Sequence, residues 1–283
     1  MKANMYEEKF MRFPAGRAKA FTLSYDDGVQ ADKRLLQIIN KYGLKGTFNL
    51  NSLTFDCAEW NGKMNEEETY KTFVSCGQEI ALHGARHIFL TKVPMPEAIN
   101  EIVQNRVYLE NKFNRIVRGM AYPYNSYNEE ILGVLGKLGV VYARTTESTH
   151  SFELPEDWLK WRPTCHHGDE KLFALTEEFI NAAPEAQKKK RESLLMTVWG
   201  HSYEFDNNGN WHILEGLAQK VSGRGDIWFA TMGEIYDYVT AYENLVFSMD
   251  GETCFNPAYM AVYLEIRGKV YEIGAGQTII FDK

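Results

Sequence analysis

Residues 21–28, Phe-Thr-Leu-Ser-Tyr-Asp-Asp-Gly, constrain this chain more than any other stretch. An apolar run of strand type stops at two adjacent carboxylates and a glycine, and a helical pattern begins at once over residues 32–41. In an α/β fold the carboxyl ends of the strands open onto the functional face, which puts Asp26 and Asp27 at a mouth rather than in the packed core. Successive side chains of an extended segment point to opposite sides, so the two acids can hold different jobs, one binding a metal while the other takes a proton.

The alternation of strand and helix continues from there. Residues 45–50 read as a second strand, completing a right-handed crossover and starting a parallel sheet. A polar loop over 51–65 leads to a helix at 66–76 and a strand at 78–82 that runs into His83-Gly84-Ala85-Arg86-His87. A long amphipathic helix over 97–113 precedes a strand at 116–121, which enters Tyr122-Pro123-Tyr124-Asn125. A helix at 128–138 and a strand at 140–143 follow. Residues 145–169 then break the pattern with a long polar and aromatic segment, the kind of excursion that carries function in a compact domain. A helix at 172–191 ends in Lys188-Lys189-Lys190-Arg191, and a strand at 194–199 delivers His201. Helices at 211–221 and 232–242 flank a strand at 227–230. Short β-type runs at 246–249, 260–266, 269–273 and 277–281 predict a small antiparallel appendage, so the chain divides into an α/β domain over 1–243 and a β segment over 244–283.

A length of 283 residues accommodates one large α/β domain and that appendage. The formal charge of −7 argues against nucleic acid or an anionic membrane as the main partner. No window approaches the roughly 20 apolar residues of a spanning helix, and residues 1–17 lack the uninterrupted apolar core of a signal peptide, so the chain reads as cytoplasmic. Cys57, Cys76, Cys165 and Cys254 show no Cys-x-x-Cys spacing and read as free thiols.

The residues that carry chemistry gather at strand ends: Asp26 and Asp27, His83 and His87, the Tyr122–Tyr124 turn, the aromatic loop around Trp158 to His167, and His201. Two imidazoles and a carboxylate form a facial set for a divalent metal with an open water position. Gly84 stands where a helical zinc-protease motif has glutamate, which excludes that motif, but a turn after a strand holds such a pair equally well. Cys165, His166, His167 and Asp169 make a competing cluster, disfavoured because adjacent histidines diverge.

In order and spacing, this constellation resembles the polysaccharide deacetylase superfamily, the NodB homology domain of carbohydrate esterase family 4, over residues 19–240. Ser24-Tyr25-Asp26-Asp27-Gly28 resembles its first motif, His83 to His87 its second, Tyr122-Pro123-Tyr124-Asn125 its third and Trp199-Gly200-His201 its fifth. The resemblance implies an irregular, seven-stranded (β/α) barrel and a metal-dependent hydrolase that removes an N- or O-acetyl group from an amino sugar or glycan fragment. It implies Asp26 as general base, Asp27, His83 and His87 as ligands of one divalent ion, and His201 as general acid. The ion expected is zinc, with cobalt, nickel or manganese as alternatives. The Tyr124 backbone N–H would bind the oxyanion, and Tyr122, Pro123, Trp199 and Trp161 would line the substrate site. Gly84 replaces the serine or threonine that braces the second motif. Ala121 stands where many members carry the arginine that orients the base, leaving Arg118, Arg144 or Arg162 as substitutes. Trp199 replaces the leucine of the acetyl pocket, and the fourth motif has no clear counterpart, so the partner of His201 stays open. The alternatives are hydrolysis of a small non-sugar amide, such as a ureide or cyclic imide, and a non-catalytic carbohydrate-binding relative.

Overall fold

The computed structural model describes residues 9–55, 57, 62–182 and 193–282. In chain order the elements are β1 (Lys9–Arg12), β2 (Lys19–Asp26), α1 (Asp32–Lys41), β3 (Gly46–Leu50), α2 (Glu66–Phe73), β4 (Glu79–Leu82), α3 (Met95–Phe113), β5 (Gly119–Ala121), α4 (Glu129–Leu135), β6 (Tyr142–Arg144), β7 (Cys165–His166), α5 (Leu172–Asn181), β8 (Leu194–Gly200), α6 (Tyr203–Asn207), α7 (His212–Val221), β9 (Ile227–Phe229) and α8 (Met232–Glu243). They are followed by β10 (Val246–Phe247), β11 (Thr253–Phe255), β12 (Val262–Ile266), β13 (Lys269–Ile273) and β14 (Thr278–Ile280).

Seven parallel strands run in the order β6-β5-β4-β3-β2-β8-β7. Along one edge of β2, β9 pairs with residues Lys19–Phe21 and β3 with Leu23–Asp26, while β8 occupies the other edge. Segment 161–166 closes the curl: Trp161 bridges to Arg144 of β6, and Cys165 pairs with Val198 of β8. The result is the irregular barrel that the family resemblance implies, on the parallel sheet expected from the alternation. Every residue of β2 is buried, as a strand covered on both faces requires.

Local chemistry explains several boundaries. The three glutamates that open α2 sit at its positive end, and Asn65 with Glu68 forms a capping box. The helix α8 starts on a second capping box, Thr231 with Glu234. The helix expected to reach residue 191 is seen to Asn181, where Ala182 leaves the helical conformation, and the basic run at 188–191 lies outside the described residues.

The C-terminal strands are antiparallel, as their alternation and glycine turns suggest. Sequence reading missed β11 and also β1, which pairs with β12 in the sheet β1-β12-β13. A second sheet is ordered β10-β11-β14. All four cysteines are free. Among the described residues, no helix is long and apolar enough to cross a membrane.

One glycine is demanded by this packing. Gly119 of β5 faces the buried Tyr142 ring of β6, and an added Cβ would lie 2.0 Å from it. Gly119→Ala is therefore expected to destabilise the fold by about 1–3 kcal/mol, read as a lower urea midpoint at unchanged slope. An unchanged midpoint would contradict the described β5–β6 contact.

Candidate active site

The carboxyl ends of β2, β4, β5 and β8 converge on one cavity of about 410 Å3, lined by Asp26, Asp27, His83, His87, Tyr122, Tyr124, Thr146, Trp199, His201 and Tyr203. A larger open groove of about 700 Å3 beside α3 has, among the described residues, Lys112 but no carboxylate or imidazole in its lining.

Asp26 ends β2 and is buried. Both its oxygens accept from Arg144 Nη2, at 2.6 and 2.5 Å, and Asn49 Nδ2 donates to Oδ1 at 2.8 Å. Arg144 Nε donates to Ser24 Oγ at 2.9 Å, and the guanidinium lies 4.5 Å from the Trp199 ring. Of the three candidate arginines, Arg144 is thus the one that orients Asp26; Arg118 pairs with Asp237, and Arg162 is exposed. Burial pushes the Asp26 carboxyl up, but the Arg144 guanidinium, with His83 and His201, outweighs it and holds the group well below the usual carboxylate range.

Asp27 leaves the strand with φ +85°, a left-handed conformation. Its Oδ1 is buried and meets no hydrogen-bond donor among the described residues. It lies 3.8 Å from His83 Nε2 and 3.7 Å from His87 Nε2, which are 3.1 Å from each other. His83 Nδ1 donates to the Ala121 carbonyl at 2.9 Å, so its Nε2 carries a lone pair. Burial lowers the His83 pKa, and burial with the neighbouring His83 lowers that of His87 to about 4, so both rings are neutral at pH 7. An orphaned carboxylate oxygen and two imidazole nitrogens facing one point form a cation's donor set. The three edges define a centre about 2.1 Å from each atom, within the ligand distances of zinc.

Gly84 explains how this turn differs from the expected pattern. Its φ is +71°, and an added Cβ would meet Glu101 Oε1 at 3.2 Å and Pro123 at 3.3 Å. Bracing comes from other residues. His83 N–H donates to Asn105 Oδ1 at 2.9 Å, and Arg86 Nε donates to the buried Glu101 at 2.9 Å.

His201 follows β8 across the cavity, its Nε2 4.0 Å from both Asp26 Oδ2 and Asp27 Oδ2. The partner left open by the sequence is Glu204, whose Oε1 lies 3.4 Å from His201 Nδ1, in ion-pair range though not aligned as a hydrogen bond. Glu204 Oε2 also sits 3.0 Å from both His166 Nε2 and His167 Nε2. Against burial, these imidazoles hold Glu204 far below the usual carboxylate range. Burial lowers the His201 pKa, but Glu204, Asp26 and Asp27 together leave it above the ordinary value.

In the rival cluster of Cys165, His166, His167 and Asp169, the side chains are buried in the core or engaged by other partners. Cys165 is in the core with its thiol pushed up to about 12 by burial, and Asp169 pairs with His150 at 2.7 Å. His166, His201 and Glu204 do lie close together. Gly168 N–H donates to His166 Nδ1 at 3.0 Å, which directs the His166 Nε2 proton at Glu204 Oε2, 3.0 Å away. Gly200 matters to this cluster, because a Cβ there would lie 2.1 Å from His167 Nδ1.

The expected substrate-lining residues divide. Trp199 walls the cavity, and Tyr124, at φ +54°, stacks on Phe89 at 4.0 Å and meets the His87 ring edge-on at 4.4 Å. Tyr122 reaches the lining but is mostly buried, its hydroxyl donating to the Leu159 carbonyl at 2.8 Å. Pro123 is buried beneath Gly84. Trp161 must be corrected: it is a core residue, 1 % exposed, with Nε1 donating to Thr197 Oγ1 at 3.2 Å. An aromatic residue in a loop reads alike whether it faces a ligand or seals a barrel.

The sequence profile of the polysaccharide deacetylase family matches residues 14–143. Among solved structures, a Mycobacterium smegmatis protein assigned to the polysaccharide deacetylases is 17% identical with a TM-score of 0.59, covering 84% of this chain and 96% of that one. A mutant of the peptidoglycan deacetylase PdaC of Bacillus subtilis is 16% identical with a TM-score of 0.50, covering 80% and 93%. A mutant of a Bacillus anthracis CE4 family pseudoenzyme is 16% identical with a TM-score of 0.50, covering 80% and 70%. At these identities the likeness is one of fold. No curated protein matches the chain.

Replacing Arg144 by Met leaves Asp26 buried without its cation, a loss of about 3–5 kcal/mol at pH 7. Because the folded-state pKa of Asp26 is depressed, the stability it contributes is present above its unfolded value near 3.9 and is lost as pH falls below. The deficit of Arg144→Met, measured by denaturant unfolding, is expected to shrink as pH falls from 7, because the buried Asp26 carboxyl without its guanidinium is pushed up and takes a proton that the paired carboxyl does not. A deficit that stays constant with pH would contradict the pairing.

Proposed function

We propose that this chain, which matches the polysaccharide deacetylase family over residues 14–143 and shares the deacetylase barrel, is a metal-dependent hydrolase that removes an N- or O-acetyl group from an amino sugar or glycan fragment. The observation that carries the reading is the common point faced by Asp27 Oδ1, His83 Nε2 and His87 Nε2, with Asp26 and His201 beside it in one cavity. Zinc suits that donor set, with cobalt, nickel or manganese as alternatives. Bound by Asp27, His83 and His87, a divalent ion would supply Lewis acidity, polarising the acetyl carbonyl and lowering the pKa of a water toward about 7.

The chain's own residues do the rest. Asp26, ionised and oriented by Arg144 and Asn49, takes the proton of the attacking water through Oδ2 as the new C–O bond forms. The Tyr124 backbone N–H donates to the oxyanion of the tetrahedral intermediate. His201, made a stronger base by Glu204, enters protonated and gives the Nε2 proton to the departing amine as the C–N bond breaks, leaving acetate and a free amino sugar. Base and acid each contribute about 10²–10⁴-fold. Trp199, backed by the Arg144 guanidinium, supplies a flat wall against the acetyl group or the sugar ring.

A non-catalytic binder is the rival reading, and one similar structure is of a CE4 family pseudoenzyme. The presence here of Asp26, Asp27, His83, His87 and His201 together weighs against it.

Asp26→Asn is expected to lower acetate release from N-acetylglucosamine oligomers by about 10²–10⁴-fold while zinc stoichiometry is unchanged. Retained turnover would remove Asp26 as base, and ring-opening of cyclic imides without acetate release would move the substrate to small amides. Glu204 raises the His201 pKa, so the protonated acid is present below that pKa and lost as pH rises through it. Glu204→Gln is therefore expected to shift the alkaline limb of kcat/KM to lower pH, and an unmoved limb would separate Glu204 from the acid.

A further inference from the structure

Lys63 belongs to no motif and sits in a stretch that reads as loop. Residues 62–64 lie against the Asp-Asp-Gly turn: Lys63 bridges antiparallel to Val29, Gln30 N–H donates to the Gly62 carbonyl at 2.8 Å, and Met64 N–H donates to the Gly28 carbonyl at 3.3 Å. This pairing buries the Lys63 side chain beneath the site. Its ammonium donates to the backbone carbonyl of Asp27 and to Asn51 Oδ1, the latter at 2.8 Å. Asn51 Nδ2 in turn donates to the carbonyls of His83 and Gly84, at 2.5 and 3.2 Å. One ammonium and one amide thus join the backbone of Asp27 to that of the His83 turn, 56 positions later in the sequence (27 to 83).

The two ends of this connection need holding. Asp27 has φ +85° and Gly84 φ +71°, and a non-glycine residue in the left-handed region persists only where its surroundings fix it. The serine or threonine that braces this turn in the family pattern has no room at position 84, where a Cβ would already press on Glu101 and Pro123. A buried ammonium beside a cation's donor set is also electrostatically adverse to that cation, so its presence calls for a compensating geometric role.

We propose that Lys63, acting through Asn51, is a positioning residue for the cation's donor set: it holds the Asp27 carbonyl so that Oδ1 stays aimed at the point shared with His83 Nε2 and His87 Nε2. This inference rests on the metal reading above. Outer partners of metal ligands tune affinity by about 10–100-fold, and Lys63 acts on a ligand's backbone in the same manner.

The test titrates zinc chloride into the full-length chain against a chelating dye, and records the visible spectrum of the cobalt-substituted protein. Lys63→Met is expected to weaken zinc binding by about 10–100-fold and to alter the cobalt bands. Asn51→Leu, near-isosteric and lacking both links, is expected to do the same with Lys63 still present, and the outcome is judged on whichever variant folds by circular dichroism. A folded variant with wild-type zinc affinity and an unchanged cobalt spectrum, even with a lowered Tm, would overturn the inference and make Lys63 a loop anchor. Absence of zinc binding in the wild-type chain would overturn the metal reading itself, a result distinguishable from the first.

Discussion

The Asp26–Arg144 ion pair is the interaction on which the architecture turns. Its two side chains are 4 % and 1 % exposed, so both charges have left water, and only close geometry offsets that cost. The pair meets the condition, since both Asp26 oxygens accept from one guanidinium nitrogen while Asn49 and Ser24 take further hydrogen bonds. Asp26 ends β2 and Arg144 ends β6, at opposite ends of the run β6-β5-β4-β3-β2. They meet only if the sheet curls through those strands. The barrel's curvature, the aim of the Asp26 carboxylate and the flat face of Trp199 over the guanidinium are therefore one structural fact.

Adjacent acids with different surroundings follow from the same geometry. Asp26 continues the strand and points at cationic and amide donors; Asp27 steps into a left-handed conformation and shows a bare oxygen to two imidazole nitrogens. Their separation of roles needs no difference in side-chain chemistry. A second polar system, centred on Glu204, does for His201 what Arg144 does for Asp26, setting the charge of a group that would otherwise be neutralised by burial.

Much of this was legible beforehand. Strands ending in Asp26-Asp27, His83 and His201 carry short, local signals, because a parallel strand is apolar throughout and its end is marked by the first polar residues. What stayed hidden depended on distance in three dimensions. Arg144 could be narrowed to three arginines but not chosen, since the choice rests on how far the sheet curls. Glu204 lies three residues after His201, a spacing visible in principle but common to many solvated helix starts. Lys63 and Asn51 sit in a stretch that reads only as polar loop, and Trp161 was misjudged because hydrophobicity does not say which side of a barrel wall a ring occupies. The N-terminal strand β1 finds its partner, β12, more than 250 positions later, a pairing no local pattern encodes.

The central proposal is that Asp27, His83 and His87 hold one divalent cation. The most direct measurement is an anomalous difference map, recorded at the zinc edge from crystals grown with zinc. The account predicts a single strong peak about 2.0–2.2 Å from Asp27 Oδ1, His83 Nε2 and His87 Nε2. A zinc-saturated protein with no peak there, or with its only peak beside His166 and Glu204, would contradict it.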